Sequence, residues 1–331
     1  MKILYAVQGT GNGHLARAED IVPRLREHGK VDIMVSGAQA DIALSFPVRY
    51  KSRGLSFFFG TSGGIDFLKT FKKNNAKRFY KEVKQVPVDK YDLVINDFEP
   101  ITAWACRSKD VPCVSLSHQS ALLSPHVPKP LRYFDPVGEW LLQHYAPAHD
   151  HVSFHFSSYD EMMFTPVIRK GIRECERVQK DHYTVYLPSY DDRKIVRILA
   201  RIPHVRWEIF SKHAKRMYDL GKISVFPVSK QAFTRSMTCS QGVLCGAGFE
   251  TPAEALYLNK KLMVIPMKSQ LEQHYNAAAL QEIGVPVLKK LRRKHLEKIG
   301  KWIDSDRRVC MDYHDIASEA VTRAVELGTR L

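Results

Sequence analysis

Residues 242–276 read Gly242-Val-Leu-Cys-Gly246-Ala-Gly248-Phe-Glu-Thr251-Pro252-Ala-Glu254-Ala-Leu256, then Lys261-Leu-Met-Val-Ile-Pro266, then Gln270-Leu-Glu272-Gln273-His-Tyr-Asn276. The apolar run Gly242–Cys245 is short enough for a strand and leads into a Gly-x-Gly turn. Pro suits the first position of a helix and Thr the cap before it, so a helix is expected from about Thr251-Pro252. Leu262–Ile265 is then the next strand. Strand, helix and strand in this order make a parallel crossover unit. The exposed amides of such a turn and helix start suit a diphosphate, since they point at the ligand and carry the positive dipole end. Glu254, expected in the helix's first turn, offers two acceptors to a ribose diol. Glu272 and Gln273 offer polar groups to sugar hydroxyls, and Asn276 lies one turn further. Each residue alone also reads as a helix cap or a surface polar group; the ordered set is much harder to obtain by chance.

The same alternation runs through the rest of the chain. Ile3–Val7, Val31–Val35, Leu93–Ile95 and Val111–Leu116 read as strands, with helices at His14–His28 and Phe67–Val86. Ser124–Pro147, rich in Pro and aromatic residues, reads as irregular with one short helix. A second series follows, with strands at Tyr183–Leu187, Arg206–Ile209, Ser224–Pro227, Gly242–Cys245 and Leu262–Ile265. Its helices are expected at Arg193–Ala200, Pro252–Leu258 and Gln273–Ile283. The break at Thr165-Pro166 places a linker within Phe164–Lys180. The 331 residues thus divide into units 1–165 and 180–312, with 313–331 carrying a final helix over Asp315–Leu327. Two α/β units with parallel sheets, facing each other, fit the pattern.

Gln8-Gly9-Thr10-Gly11-Asn12-Gly13-His14 follows the first strand and opens a helix. Three glycines in five positions allow a sharp turn and close approach to a ligand. The loop lacks the Gly-Lys-Ser/Thr ending of a P-loop. Its glycines, spaced by two, are not a dinucleotide fingerprint, and Ser36-Gly37 stands where a ribose-binding carboxylate would follow the second strand. Gly11, Asn12 and Gly13 are therefore candidates for contact with an acceptor. His14 stands at the carboxyl edge of the sheet, where it serves either as a general base, the chemistry histidine side chains supply near neutral pH, or as a helix-start residue bonded to backbone. Asp97, in Asn96-Asp97-Phe98-Glu99-Pro100, falls at the same edge; it orients His14, acts as the base itself, or caps the next helix. Ser117-His118-Gln119 ends the following strand at that edge, and His118 is a second acceptor-side candidate.

A net charge of +15 attracts phosphates on lipids, nucleic acids or small substrates without choosing among them. No nucleic-acid motif is present and the aromatic residues do not form a stacking platform, so nucleic acid is not expected as a partner. Leu55–Gly60 is an aromatic patch. It precedes a basic helix carrying Lys69, Lys72, Lys73, Lys77, Arg78, Lys81 and Lys84, which reads as a peripheral contact with an anionic membrane or as a solvated face. Six cysteines without a C-x-x-C pair suit reduced thiols. Met1–Val7 enters the glycine loop directly, with no signal peptide, and no run approaches the roughly 20 apolar residues of a membrane span. A cytoplasmic protein is expected, with peripheral contact at the inner membrane face as an option. Asp304-Ser305-Asp306 lies in a charged helical region and reads as surface; no metal ligand set is expected.

With these residues in place a family resemblance is plain. Gly246-x-Gly248, Thr251-x-x-Glu254, Pro266 and Glu272-Gln273-x-x-Asn276-Ala277 resemble the donor-site signature of inverting GT-B glycosyltransferases. The likeness is greatest to the family-28 group, which includes the lipid II N-acetylglucosaminyltransferase and the plant galactolipid synthases. The Gly9–His14 loop is similar to that group's amino-terminal element, so the resemblance spans the whole chain. It implies two Rossmann-like domains across a cleft, and a final helix crossing back to the first. It also implies a nucleotide-sugar donor, UDP-linked, and a glycan or lipid-linked hydroxyl acceptor of cell-envelope type, with no metal or other cofactor. Glu254 is then expected on the ribose, Glu272 and Gln273 on the transferred sugar, and Gly246–Thr251 near the diphosphate. The group's Gly-Ser-rich loop after the second unit's first strand is replaced here by Tyr186-Leu-Pro-Ser189-Tyr-Asp-Asp192, which leaves Ser189 as the phosphate contact there. A sugar-nucleotide epimerase of the same fold is the alternative.

Overall fold

The computed structural model describes residues 1–10, 12–37, 44–55, 76–131, 133–176 and 178–331, with Asn12 described in its backbone alone. Gly11, Ser56–Gly60, Lys69, Lys72, Lys73 and the expected helix before Ala76 lie outside the described residues.

The first half forms a seven-stranded parallel sheet ordered β3-β2-β1-β4-β5-β6-β7. Its strands are β1 (Lys2–Gln8), β2 (Lys30–Ser36), β3 (Tyr50–Ser52), β4 (Leu93–Asp97), β5 (Cys113–Ser117), β6 (Asp150–Phe154) and β7 (Met163–Phe164). Interleaved are α1 (Asn12–His28), α2 (Ala76–Gln85), α3 (Pro100–Lys109), the single turn α4 (His118–Ala121) and α5 (Pro136–His144). The single turn α6 (Lys170–Arg173) follows β7 and leads to the second sheet.

The second sheet is ordered β10-β11-β9-β8-β12-β13. It comprises β8 (Tyr183–Tyr186), β9 (Trp207–Ser211), β10 (Tyr218–Leu220), β11 (Ile223–Pro227), β12 (Gly242–Cys245) and β13 (Lys261–Val264), with β10 antiparallel at the edge. Its helices are α7 (Asp192–Leu199), α8 (Lys230–Cys239), α9 (Glu250–Tyr257), α10 (Leu271–Glu282) and α11 (Leu296–Asp304). The final helix, α12 (Ala317–Gly328), packs on α1, β4, β5 and β6 of the first sheet. A side chain at Gly328 would collide with Leu93 in β4.

Central strands such as Ile3–Val7 and Leu93–Ile95 are apolar throughout because helices cover both faces. One core runs from β1, α1 and α12 through Phe154, Phe156 and Phe249 into α9 and α10, so the two halves share buried surface. Separate cores fill the far faces of each sheet. In both sheets strand order reverses beside the first strand, between β1 and β4 and between β8 and β12. Ligands of doubly wound sheets bind outside the carboxyl ends of strands at such a reversal. The loop after β1, Asp97 and the Gly246 turn all stand at these two points.

Candidate active site

Gly9 fixes the first loop: its N–H donates to the Ser36 carbonyl at 2.6 Å, and a Cβ there would lie 2.8 Å from Val35. The loop is thereby pinned over β2 and delivers α1, with His14 in its first turn. His14 Nδ1 lies 2.8 Å from Asp97 Oδ1 at the end of β4. Arg17, one turn further along α1, donates through Nη2 to both oxygens of Asp97, at 2.7 and 2.9 Å, and through Nη1 to Glu250 of the other unit. Asp97 is fully buried and Arg17 2% exposed. Burial alone would raise the Asp97 pKa; Arg17 and His14 beside it hold it below the ordinary carboxylate range. Phe98 turns the chain immediately after Asp97 with φ of 55°, a conformation held by packing of its ring on Tyr145.

This geometry removes one of the three sequence-based roles for Asp97, the helix cap. The cap of α3 is Glu99, whose carboxylate accepts the N–H groups of Ile101 and Thr102 at 2.7 Å each. Asp97 is buried with both oxygens engaged by Arg17 and one of them beside His14, an arrangement that fits a residue orienting His14.

His118 is not open to an acceptor. It is 1% exposed, its ring stacks on Phe249 at 3.8 Å, and its nitrogens lie 2.8 Å from the Phe154 carbonyl and 2.9 Å from Asn276 Oδ1. Burial pushes its pKa down to about 3. Asn276 also donates to the Ala247 carbonyl at 3.1 Å. Neither end of its amide faces a donor; the pair ties the start of α4 in one unit to the glycine turn of the other. Gly13, likewise expected against an acceptor, packs on Glu250, which a Cβ would approach to 3.0 Å.

Gln119, adjacent to His118, occupies the cleft instead. Its Nε2 lies 3.4 Å from His14 Nε2 and 3.3 Å from Glu272 Oε2. Burial raises the pKa of Glu272, with His14 and Gln119 acting against that shift. Gln273 is buried and accepts the Met267 N–H at 3.0 Å. Gly246 and Gly248 are half-exposed in the turn after β12, and Gly248 has nothing within 4 Å of where a Cβ would stand. Helix α9 begins at Glu250, two residues before the expected Pro252, and no side chain caps it. Thr251 is thus within its first turn and half-exposed, whereas Glu254 falls in the second. Glu254 is 2% exposed, with both oxygens held by the guanidinium of Arg169. Ser189 is half-buried in the turn after β8.

Arg17, Gln119, Arg169 and Glu250 are site residues that the sequence reading did not single out as such. Arg17 had one signal, its spacing of three from His14 on a helix. Among the described residues, no group of three or more His, Cys, Asp or Glu side chains is placed to hold a metal ion.

Two doubly wound sheets with a His–Asp pair at one reversal point and an uncapped glycine-turn helix at the other define a GT-B glycosyltransferase. The chain belongs to the family described as glycosyl transferase family 1, whose sequence model matches residues 1–305. Among solved structures it is similar to Os79 from O. sativa in complex with U2F and trichothecene, with a TM-score of 0.60, 13% identity and coverage of 99% of this chain and 95% of that one. It is also similar to LpCGTa in complex with UDP, with a TM-score of 0.59, 14% identity and coverage of 99% and 94%. Acinetobacter baumannii MurG aligns with a TM-score of 0.57, 12% identity and coverage of 100% and 99%. At such identities the likeness shows the fold. No curated protein matches by sequence.

Proposed function

We propose that this glycosyltransferase moves a sugar from a nucleotide-linked donor, UDP-linked, to an acceptor hydroxyl with inversion at the anomeric carbon. The observation that carries the reading is His14 Nδ1 at 2.8 Å from Asp97, with the other ring nitrogen 3.4 Å from Gln119 Nε2, which also donates to Glu272. A proton on Nδ1 held by Asp97 leaves Nε2 as the basic nitrogen that takes the acceptor's proton. Asp97 positions that ring, and Arg17 positions Asp97.

The diphosphate leaves against the uncapped first turn of α9, through Gly246, Gly248 and Thr251, with Ser189 on the facing turn. Amides and nearby cations meet the developing charge there, so the step needs no metal ion. Glu272 and Gln273 take the transferred sugar, and Glu254 the ribose. The nucleotide donor is supported further by the UDP and dTDP named with two structural neighbours.

For the acceptor, a lipid-linked glycan is the class we favour. Leu131, Phe134, Val137 and Trp140 are each at least half exposed on and before α5, an unusual display of large apolar groups beside a cleft. With the charge of +15 this face suits peripheral contact with an anionic membrane and a role in envelope glycan synthesis. Among the described residues no helix is long and apolar enough to cross a membrane.

The test is nucleotide release from a panel of nucleotide sugars, with and without lipid-linked acceptors. Acceptor-dependent release of a nucleoside diphosphate is expected from one donor. Conversion of the donor to an isomer without release would favour the epimerase reading.

A further inference from the structure

Gln119 stands in the single turn α4 between two residues that are fixed. His118 is wedged against Phe249 and Asn276, and the Ser120 hydroxyl lies 2.6 and 3.0 Å from those of Ser115 and Ser117. The backbone of Gln119 is thereby held, and the residue is 6% exposed. Its amide is held loosely. Nε2 lies 3.3 Å from Glu272 Oε2 and 3.4 Å from His14 Nε2, both longer than the usual distance of about 2.9–3.0 Å. A carboxylate oxygen accepts, so the NH₂ end of the amide is the one that faces Glu272. The carbonyl end, Oε1, is buried and has no hydrogen-bond partner among the described residues. A buried acceptor left unpaired costs free energy, which makes this position of the amide easy to leave.

We propose that Gln119 guards the base: its N–H covers the His14 nitrogen that takes the acceptor's proton and keeps water from using it. The inference rests on the nucleotide-sugar reading, with His14 as the base. When Nδ1 holds its proton against Asp97, Nε2 carries a lone pair, and Gln119 Nε2 is the donor beside it. A water acting as nucleophile needs that lone pair. Its oxygen attacks the anomeric carbon and its proton passes to Nε2. The bond from that carbon to the diphosphate oxygen breaks, its electron pair leaving on the nucleotide, and the donor is hydrolysed. Two nitrogens 3.4 Å apart leave no space between them for a water, which needs about 2.9 Å on either side. Displacing the amide returns to a water little more than the bond it breaks. An acceptor brings binding energy from the rest of its contacts, and that energy moves the amide aside. A donor sugar that takes Glu272 leaves the contact with His14 in place. The other polar groups beside the ring, Asp97 and Arg17, stand at Nδ1 and do not cover Nε2.

The test is release of nucleoside diphosphate by the whole chain in water, with saturating donor and no acceptor. The donors are UDP-glucose, UDP-galactose and UDP-N-acetylglucosamine, with dTDP-, ADP- and GDP-glucose alongside, and calorimetry shows which of them bind. In Gln119→Ala the rate should rise at least about fivefold above the wild type, a gain that a loosened fold does not give. Adding His14→Ala to that variant should abolish the gain. Gln119→Asn, whose amide stops one methylene short, should change in the same direction and serves if the Ala variant does not fold. A rate unchanged or lowered in the folded variants, on a donor that the wild type binds, overturns the guard and leaves the donor reading standing. A gain that survives His14→Ala also overturns it, because the water is then activated elsewhere. A wild type that binds none of the donors removes the donor reading itself, and this inference with it.

Discussion

Arg17 ties Asp97, the partner of His14, to the opposite unit, and its energetics follow from burial. It is 2% exposed and satisfies two carboxylates, Asp97 and Glu250. Removing one member of a buried ion pair leaves an uncompensated charge, at a cost of about 3–5 kcal/mol. Arg17→Met should therefore lower the unfolding free energy by that amount, through a lower urea midpoint with little change in the slope; a loss under about 1 kcal/mol would show that the pairs contribute little. At this scale the sequence was informative where chemistry and strand ends coincide. His14 and Asp97 were legible because both follow strands that lie side by side at one sheet edge. His118 shares that edge and was misjudged, because what covers it, Phe249 and Asn276, stands more than 100 residues away. A polar residue at a strand end looks the same in one dimension whether it faces a cleft or a neighbouring domain.

Helix α9 shows how an element can be recognised and still be misregistered. Thr251-Pro252 is a good start signal, yet the helix begins at Glu250 without a side-chain cap. The difference moves Glu254 into the second turn, where Arg169 reaches it, and places Glu250 at the helix mouth. Burial raises the Glu250 pKa to about 7, with Arg17 opposing the shift. An unfolded glutamate releases its proton near 4.3, so between these values the folded chain binds more protons than the unfolded one. This contribution to stability is full below about pH 4.3 and is lost as pH rises through about 7. In Glu250→Gln it is absent, so the variant's melting temperature should gain on the wild type between pH 5.5 and pH 8; a constant difference contradicts the shift. The edge strands β3, β7 and β10, and β6 one strand in from the edge, escaped the sequence reading because they are short or polar. Sheet edges are where apolar patterning is weakest.

On the scale of the molecule, the two sheets were legible from alternation alone, since a buried parallel sheet needs continuous apolar runs separated by helices. Their closure was not legible. It depends on contacts between distant segments: Arg17 with Glu250, Gln119 with Glu272, His118 with Asn276, and Tyr275 donating to Glu139 at 2.8 Å. These contacts bring the His14–Asp97 pair of one unit close to Glu272 of the other, with Gln119 between them. In the proposed mechanism His14 works there as a base and not as a binding or folding residue. The direct test pairs the dissociation constant of the donor with the rate of sugar transfer, both measured on wild type and on His14→Ala. Donor affinity within about threefold, with a transfer rate lower by about 10²–10⁴, is the predicted result. Transfer within a few-fold of wild type by a folded His14→Ala protein would contradict it.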